Sequence, residues 1–250
     1  MSDARRQTLN VVTAVAQVAA PALPALGVGV TVGARDGFAS PLEVPAGYAF
    51  SIWGVIFLLG LIYAVQQALP SASDRPLYRA IGTGAWMLFG LSTAWMVIAQ
   101  LDGPNVVLAT IIVIMLVIAL GIISRAWALR DEAGATVVLP LFGLYAGWLT
   151  LATALNISGV LRDFALAPFG LADWQYASLV VVAAAFVAVP MLARLRGQFW
   201  YAAAAIWGLA AVAVKDVPLG APEANVGYVA GGIAAILLIM MVLLRQRRAA

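Results

Sequence analysis

Residues 104–124 read PNVVLATIIVIMLVIALGIIS, an apolar run without one charged side chain. A helix needs about 20 such residues to cross the hydrocarbon core of a bilayer, so this run is a membrane span. Working outward, seven further runs qualify, at roughly 8–31, 48–69, 79–101, 135–159, 175–193, 199–214 and 226–244. Turn or charge clusters separate them, among them Arg35-Asp36-Gly37, Asp102-Gly103-Pro104 and the stretch from Lys215 to Glu223. The expected fold is all-α, a polytopic transmembrane bundle of about eight helices.

Composition leads to the same place. Of 250 residues, 64% are hydrophobic and 10% charged, whereas a soluble domain carries roughly 25% charged residues. The solvent for most of this surface has to be lipid, so membrane lipids are the first expected partner. A net charge of +3 does not indicate nucleic acid, because the arginines sit in short loops and not on one basic face. Histidine and cysteine are absent. The side chains most used as zinc or haem ligands, thiol nucleophiles and neutral-pH acid–base catalysts are therefore missing. No catalytic and no metal-ligating residue is assigned, and the chain is not expected to be an enzyme.

The basic residues orient the spans. Arg5, Arg6, Arg75, Arg79, Arg125, Arg130, Arg194, Arg196, Arg245, Arg247 and Arg248 fall on one side of an eight-span path, and Arg35, Arg162 and Lys215 on the other. Cytoplasmic loops carry the Lys/Arg excess, so both termini are expected in the cytoplasm, most simply of a bacterium with the chain in its inner membrane. Arg245, Arg247 and Arg248 also suit contact with anionic lipid. Arg5-Arg6 ahead of an apolar stretch faintly suggests a secretory signal. Asn10, Gln17, Pro21 and Pro24 interrupt that stretch, however, and it lacks a clear cleavage site. The first run is therefore expected to stay as a span.

Charged residues inside a membrane are the default functional signal, and here they all fall at expected helix ends. What remains is aromatic and weakly polar. On the fifth run, Trp148, Ala152, Leu155 and Asn156 stand at i, i+4, i+7 and i+8. At 100° per residue they share one helix face. Trp53 and Trp95 fall in the outer halves of the second and third runs, with Tyr48 and Phe50 at the outer mouth. Each also has an ordinary reading. Trp and Tyr anchor helices at membrane interfaces, and an Asn can join helices through a hydrogen bond. Gly143/Gly147 and Gly227/Gly231 form GxxxG pairs, which permit a homodimer, although internal packing is the expected role in a bundle this large.

At these residues the sequence resembles the TspO/MBR family of translocator proteins and tryptophan-rich sensory proteins. One segment is Pro45-Ala46-Gly47-Tyr48-Ala49-Phe50-Ser51-Ile52-Trp53-Gly54-Val55-Ile56-Phe57. It is similar to the family's loop running into a helix that begins Phe-x-x-Val-Trp-x-x-x-Tyr. The other runs from Leu139 to Asn156 and resembles the family's fifth helix, Pro-Tyr-x-x-Trp-x-x-x-Ala-Thr-x-Leu-Asn. The chain departs from the pattern in places. Pro45 stands alone where the family has a proline pair, Tyr48 where it has Trp, and Phe57 where it has Tyr. Ser92 and Thr93 replace the polar amides of the third helix.

The resemblance covers roughly residues 8–160. It implies a TspO-like five-helix core (1–160) followed by three C-terminal helices (161–250). It also implies a pocket lined by Trp53, Trp148, Ala152, Leu155 and Asn156, and Tyr48, Phe50, Phe57 and Trp95 are further candidate ligand-binding residues. The ligand it implies is a hydrophobic or amphipathic small molecule, a tetrapyrrole (porphyrin or haem) first. The rival readings are a transporter of lipid, sterol or isoprenoid/carotenoid-type molecules, and a structural subunit of a membrane complex.

Overall fold

The computed structural model describes residues 2–32 and 41–249. The turn expected at Arg35-Asp36-Gly37, and with it the outer charge Arg35, lies outside the described residues. Eight α-helices follow in order: α1 Asp3–Ala19, α2 Ile52–Ala68, α3 Pro76–Gln100, α4 Asn105–Ala128, α5 Ala135–Asp163, α6 Asp173–Arg194, α7 Phe199–Asp216 and α8 Ala224–Ala249. With their flanking 3-10 turns, all eight are long and apolar enough to cross a membrane, and the described residues form no strand. The expected all-α, eight-span architecture is the observed one. Pro140 and Pro190 lie inside α5 and α6, and both helices continue past them.

The chain divides into two compact units, Met1–Arg35 with Ile52–Ala146, and Asp36–Ser51 with Gly147–Ala250. The partition expected from the resemblance counts helices along the chain. The compact units follow packing, and their boundary falls within α5.

In the first unit α1 packs on α2 and α3, and α3 on α4. The first run starts about five residues before its expected position, because Arg6 belongs to the helix and not to a loop ahead of it. Ser2 caps α1, accepting from the Arg5 amide at 3.4 Å. Pro21 and Pro24 then turn the helix into a 3-10 segment, Ala20–Leu26, which Gly27 closes in the left-handed region at φ 79°. The buried stripe of α1 is polar: Arg6, Asn10, Ala14 and Gln17. Its exposed positions include Val12, Val15 and Val18.

That inversion suits lipid, where apolar side chains gain nothing by leaving the solvent and polar groups hold helices together. Asn10 Nδ2 donates to the carbonyls of Arg6 (2.9 Å) and Gly82 (3.0 Å). Gln7 and Gln67 each donate a side-chain N–H to the other's backbone carbonyl, at 2.8 and 3.1 Å. Asp3 accepts from Arg6 and Arg79, both at 2.6 Å. Gly82 is required here, since a Cβ would fall 2.5 Å from Arg6 Cδ.

In the second unit α8 packs on α6 and α7. The second half of α5 meets α7 through two glycines. A Cβ on Gly147 would collide with the Tyr201 carbonyl oxygen and reach 2.9 Å from Ala204 Cβ, and one on Gly208 would fall 2.6 Å from Leu151 Cδ2. Buried Thr150 and Tyr201 share a hydroxyl hydrogen bond of 3.0 Å between the same helices. Gly227 and Gly231 both face Ala213 of α7, so this GxxxG pair serves packing inside the chain.

Candidate functional site

The second unit holds six of the nine expected site residues, and a single stretch of chain organises them. Residues 41–51 form a strap. Pro41 begins a turn closed by Val44 N–H donating to the Pro41 carbonyl (3.0 Å), and Ala46 accepts from Ala49 N–H at 2.9 Å. Pro45 fixes its own φ and keeps the residue before it extended. The chain then tightens into the 3-10 turn Gly47–Ser51, which carries Tyr48 and Phe50.

Both ends of the strap are fastened to the helices of this unit. At one end Glu43, fully buried, accepts from Ser158 Oγ at 2.6 Å and from the Arg162 guanidinium at 3.3 and 3.4 Å. Arg162 also bonds Asp173 of α6 at 3.3 Å and lies 4.7 Å over the Tyr176 ring. At α7, Lys215 Nζ donates to the carbonyls of Pro41 (3.1 Å) and Leu42 (3.2 Å), and it pairs with buried Asp216 at 3.2 Å. Farther along, Ala46 N–H donates to the Ala211 carbonyl at 3.4 Å, and Trp207 Nε1 donates to the Ala49 carbonyl at 2.9 Å. Buried charges are tolerated only when paired and hydrogen-bonded, and Glu43 has a hydroxyl and a guanidinium.

The fastened strap presents two rings. Phe50 meets Trp148 edge to face, with centroids 5.5 Å apart at 82°, and Tyr48 meets Trp207 at 5.6 Å and 76°. Trp148 is 2% exposed, yet its Nε1 has no hydrogen-bond partner. A Cβ on Gly208 would come within 3.5 Å of the same indole. Ala152, Leu155 and Asn156 are half-buried along the face that Trp148 begins. The Asn156 amide donates back to the Ala152 carbonyl at 2.8 Å, which fixes its rotamer and leaves its oxygen directed away from that bond.

The other three expected residues belong to the first unit. Trp53 packs on Phe57 at 5.4 Å and edge-on to Tyr145 at 5.5 Å. Trp95, on α3, is half-buried with its Nε1 unpartnered. Sequence reasoning missed Glu43, Ser158, Trp207 and the strap-holding role of Arg162 and Lys215. A signal for the last two was present, since they are two of only three basic residues on the expected outer side. Glu43, flanked by Leu42 and Val44, offered no spacing that pointed to Ser158, more than a hundred residues away.

Among the described residues no group of three or more Asp or Glu side chains is placed to hold a metal ion. No curated protein and no solved structure matches the chain. A family model described as TSPO-like protein matches residues 7–243, so the family pattern runs through the last three helices as well as the first five. Eight apolar helices and this match make the protein a multi-pass membrane protein, and the chain belongs to the TSPO-like protein family.

Proposed function

We propose that the protein binds, senses or carries a flat amphipathic small molecule, a tetrapyrrole first, on the face of α5 that begins at Trp148. Family membership supports, more broadly, a membrane protein that binds or transports small molecules. The observation that carries the finer reading is the Trp148 indole. Its N–H is buried and unpartnered while its ring packs against Phe50. A buried donor left unsatisfied costs about 1–3 kcal/mol, and a ligand acceptor would satisfy it. Ligand sites combine apolar and aromatic walls with a few placed polar groups. Phe50, Ala152 and Leu155 supply the walls, with Trp148 Nε1 and Asn156 as the polar groups and Tyr48 at the entrance. Trp53 and Phe57 are proposed as further ligand-contacting residues from the segment that resembles the family, and Trp95 from its place toward the outer end of α3. The role proposed is not catalytic. Residues 161–250 are proposed as the support of the strap and residues 1–160 as the ligand-binding core.

Neither histidine nor cysteine is present to ligate a haem iron strongly, so recognition falls on the ring and not the metal. Titration of the purified protein with metal-free protoporphyrin and with haem is expected to give comparable saturable affinities. A haem spectrum showing strong axial ligation, or liposome flux of lipid without saturable binding of either compound, would contradict this reading.

Both termini are proposed to be cytoplasmic. The cysteine-free sequence makes this simple to test. Asp131 and Asp173 have side chains 87% and 74% exposed. In intact cells an impermeant maleimide is expected to label Asp173→Cys, and to label Asp131→Cys only after permeabilisation. The reverse pattern would invert the topology.

A further inference from the structure

Where α1 packs on α2 and α3, the first unit contains five polar atoms that are buried and have no hydrogen-bond partner: Arg6 Nε, Asn10 Oδ1, Gln17 Nε2, Tyr63 Oη and Gln67 Oε1. Their residues are each at most 4% exposed. Arg6, Asn10 and Gln17 follow one another along the buried stripe of α1, and Tyr63 and Gln67 stand one turn apart on α2. The reciprocal Gln7/Gln67 bonds fix one end of the antiparallel register. Gly60 fixes the other, since a Cβ there would fall 2.7 Å from Gln17 Nε2. Asn10 and Tyr63 fall between these points. From Arg6 to Gln17 the helix rises about 16 Å at 1.5 Å per residue. Tyr145 Oη, donating to Gln17 Oε1 at 3.3 Å, closes the deep end.

The chemistry of the five atoms selects the ligand. Arg6 Nε and Gln17 Nε2 can only donate, Asn10 Oδ1 and Gln67 Oε1 can only accept, and Tyr63 Oη can do either. An anion would meet the two amide oxygens, and a cation would meet the two N–H groups. The Arg6 charge is already paired with Asp3, so the cluster has no charge to offer. An apolar molecule would leave all five atoms unsatisfied. A neutral molecule that donates and accepts through one small atom suits every position, and buried water normally serves polar groups of this kind. We propose that the polar stripe of α1 binds a file of internal water molecules, running from the Arg6/Gln67 end to Gln17 and Tyr145. It is separate from the ligand face proposed for α5.

X-ray hydroxyl-radical footprinting of the full-length protein in lipid nanodiscs tests this, because radiolysis of bound water oxidises the side chains that touch it. Tyr63 and Tyr201 are both fully buried, but the Tyr201 hydroxyl is paired with Thr150. Tyr63 is expected to be oxidised several-fold faster than Tyr201. In the Asn10→Leu/Gln17→Leu variant its rate should fall toward that of Tyr201, while the unchanged rate of Tyr78, a buried tyrosine of the same unit, reports intact folding. Equal rates for Tyr63 and Tyr201 in the wild type would overturn the proposal. So would a fast Tyr63 that the double substitution leaves unaffected.

Discussion

Trp148→Phe is expected to weaken porphyrin binding about fivefold, and Trp148→Ala about ten- to sixtyfold, in a fluorescence titration of the detergent-solubilised protein. Phenylalanine keeps an aromatic face toward Phe50 and removes only the N–H. The loss is then one hydrogen bond, worth about 1 kcal/mol. Alanine removes the ring as well. Aromatic pairing contributes a further 0.5–1.5 kcal/mol or so beyond burial, and each 1.4 kcal/mol is about tenfold in affinity. The phenylalanine variant is the more informative, because an aromatic ring still packs against Phe50. If Phe binds as tightly as the wild type while Ala does not, the indole N–H is not the recognition group and the site is a packing surface only.

Arg162→Ala should release the strap. The substitution leaves the buried Glu43 carboxylate with the Ser158 hydroxyl as its remaining partner among the contacts described above. Removing one partner of a buried pair costs about 3–5 kcal/mol. The Arg162 side chain is 29% exposed, which favours the low end, about 3 kcal/mol. That is roughly a hundredfold rise in the population with the strap detached, read as the rate of proteolytic cleavage within residues 41–51. Adding Glu43→Gln should recover part of the loss, since a neutral amide is easier to leave in that position. Equal protection of the wild type and Arg162→Ala would show that the Lys215, Ala211 and Trp207 contacts hold the strap without the ion pair.

The eight spans were legible because crossing a bilayer requires a long uncharged run, and such a run survives averaging over hydropathy. The same averaging hid the interior of α1. Asn10 and Gln17 look like interruptions of an apolar stretch and Arg6 like a topology signal. Their spacing with Ala14 places them on one helix face, and that face is the buried one. A rule that apolar residues point inward misleads when the solvent is itself apolar. The stripe on α5 was legible because helical phase depends only on spacing. Whether Asn156 offers its amide to a ligand was not, since its N–H is engaged one turn back, at Ala152. The strap was least legible. Its attachments pair Glu43 with Ser158 and Arg162, Ala49 with Trp207, and Pro41 with Lys215. No local pattern encodes contacts so distant in sequence.

The central claim is that the α5 face beginning at Trp148 holds a small molecule. Unbiased mass spectrometry of compounds copurifying with the protein from its native membrane tests it most directly, with the wild type compared against Trp148→Ala/Asn156→Ala. The account predicts a flat amphipathic compound enriched in the wild type and depleted in the variant. The same molecules in the same amounts in both preparations would contradict it.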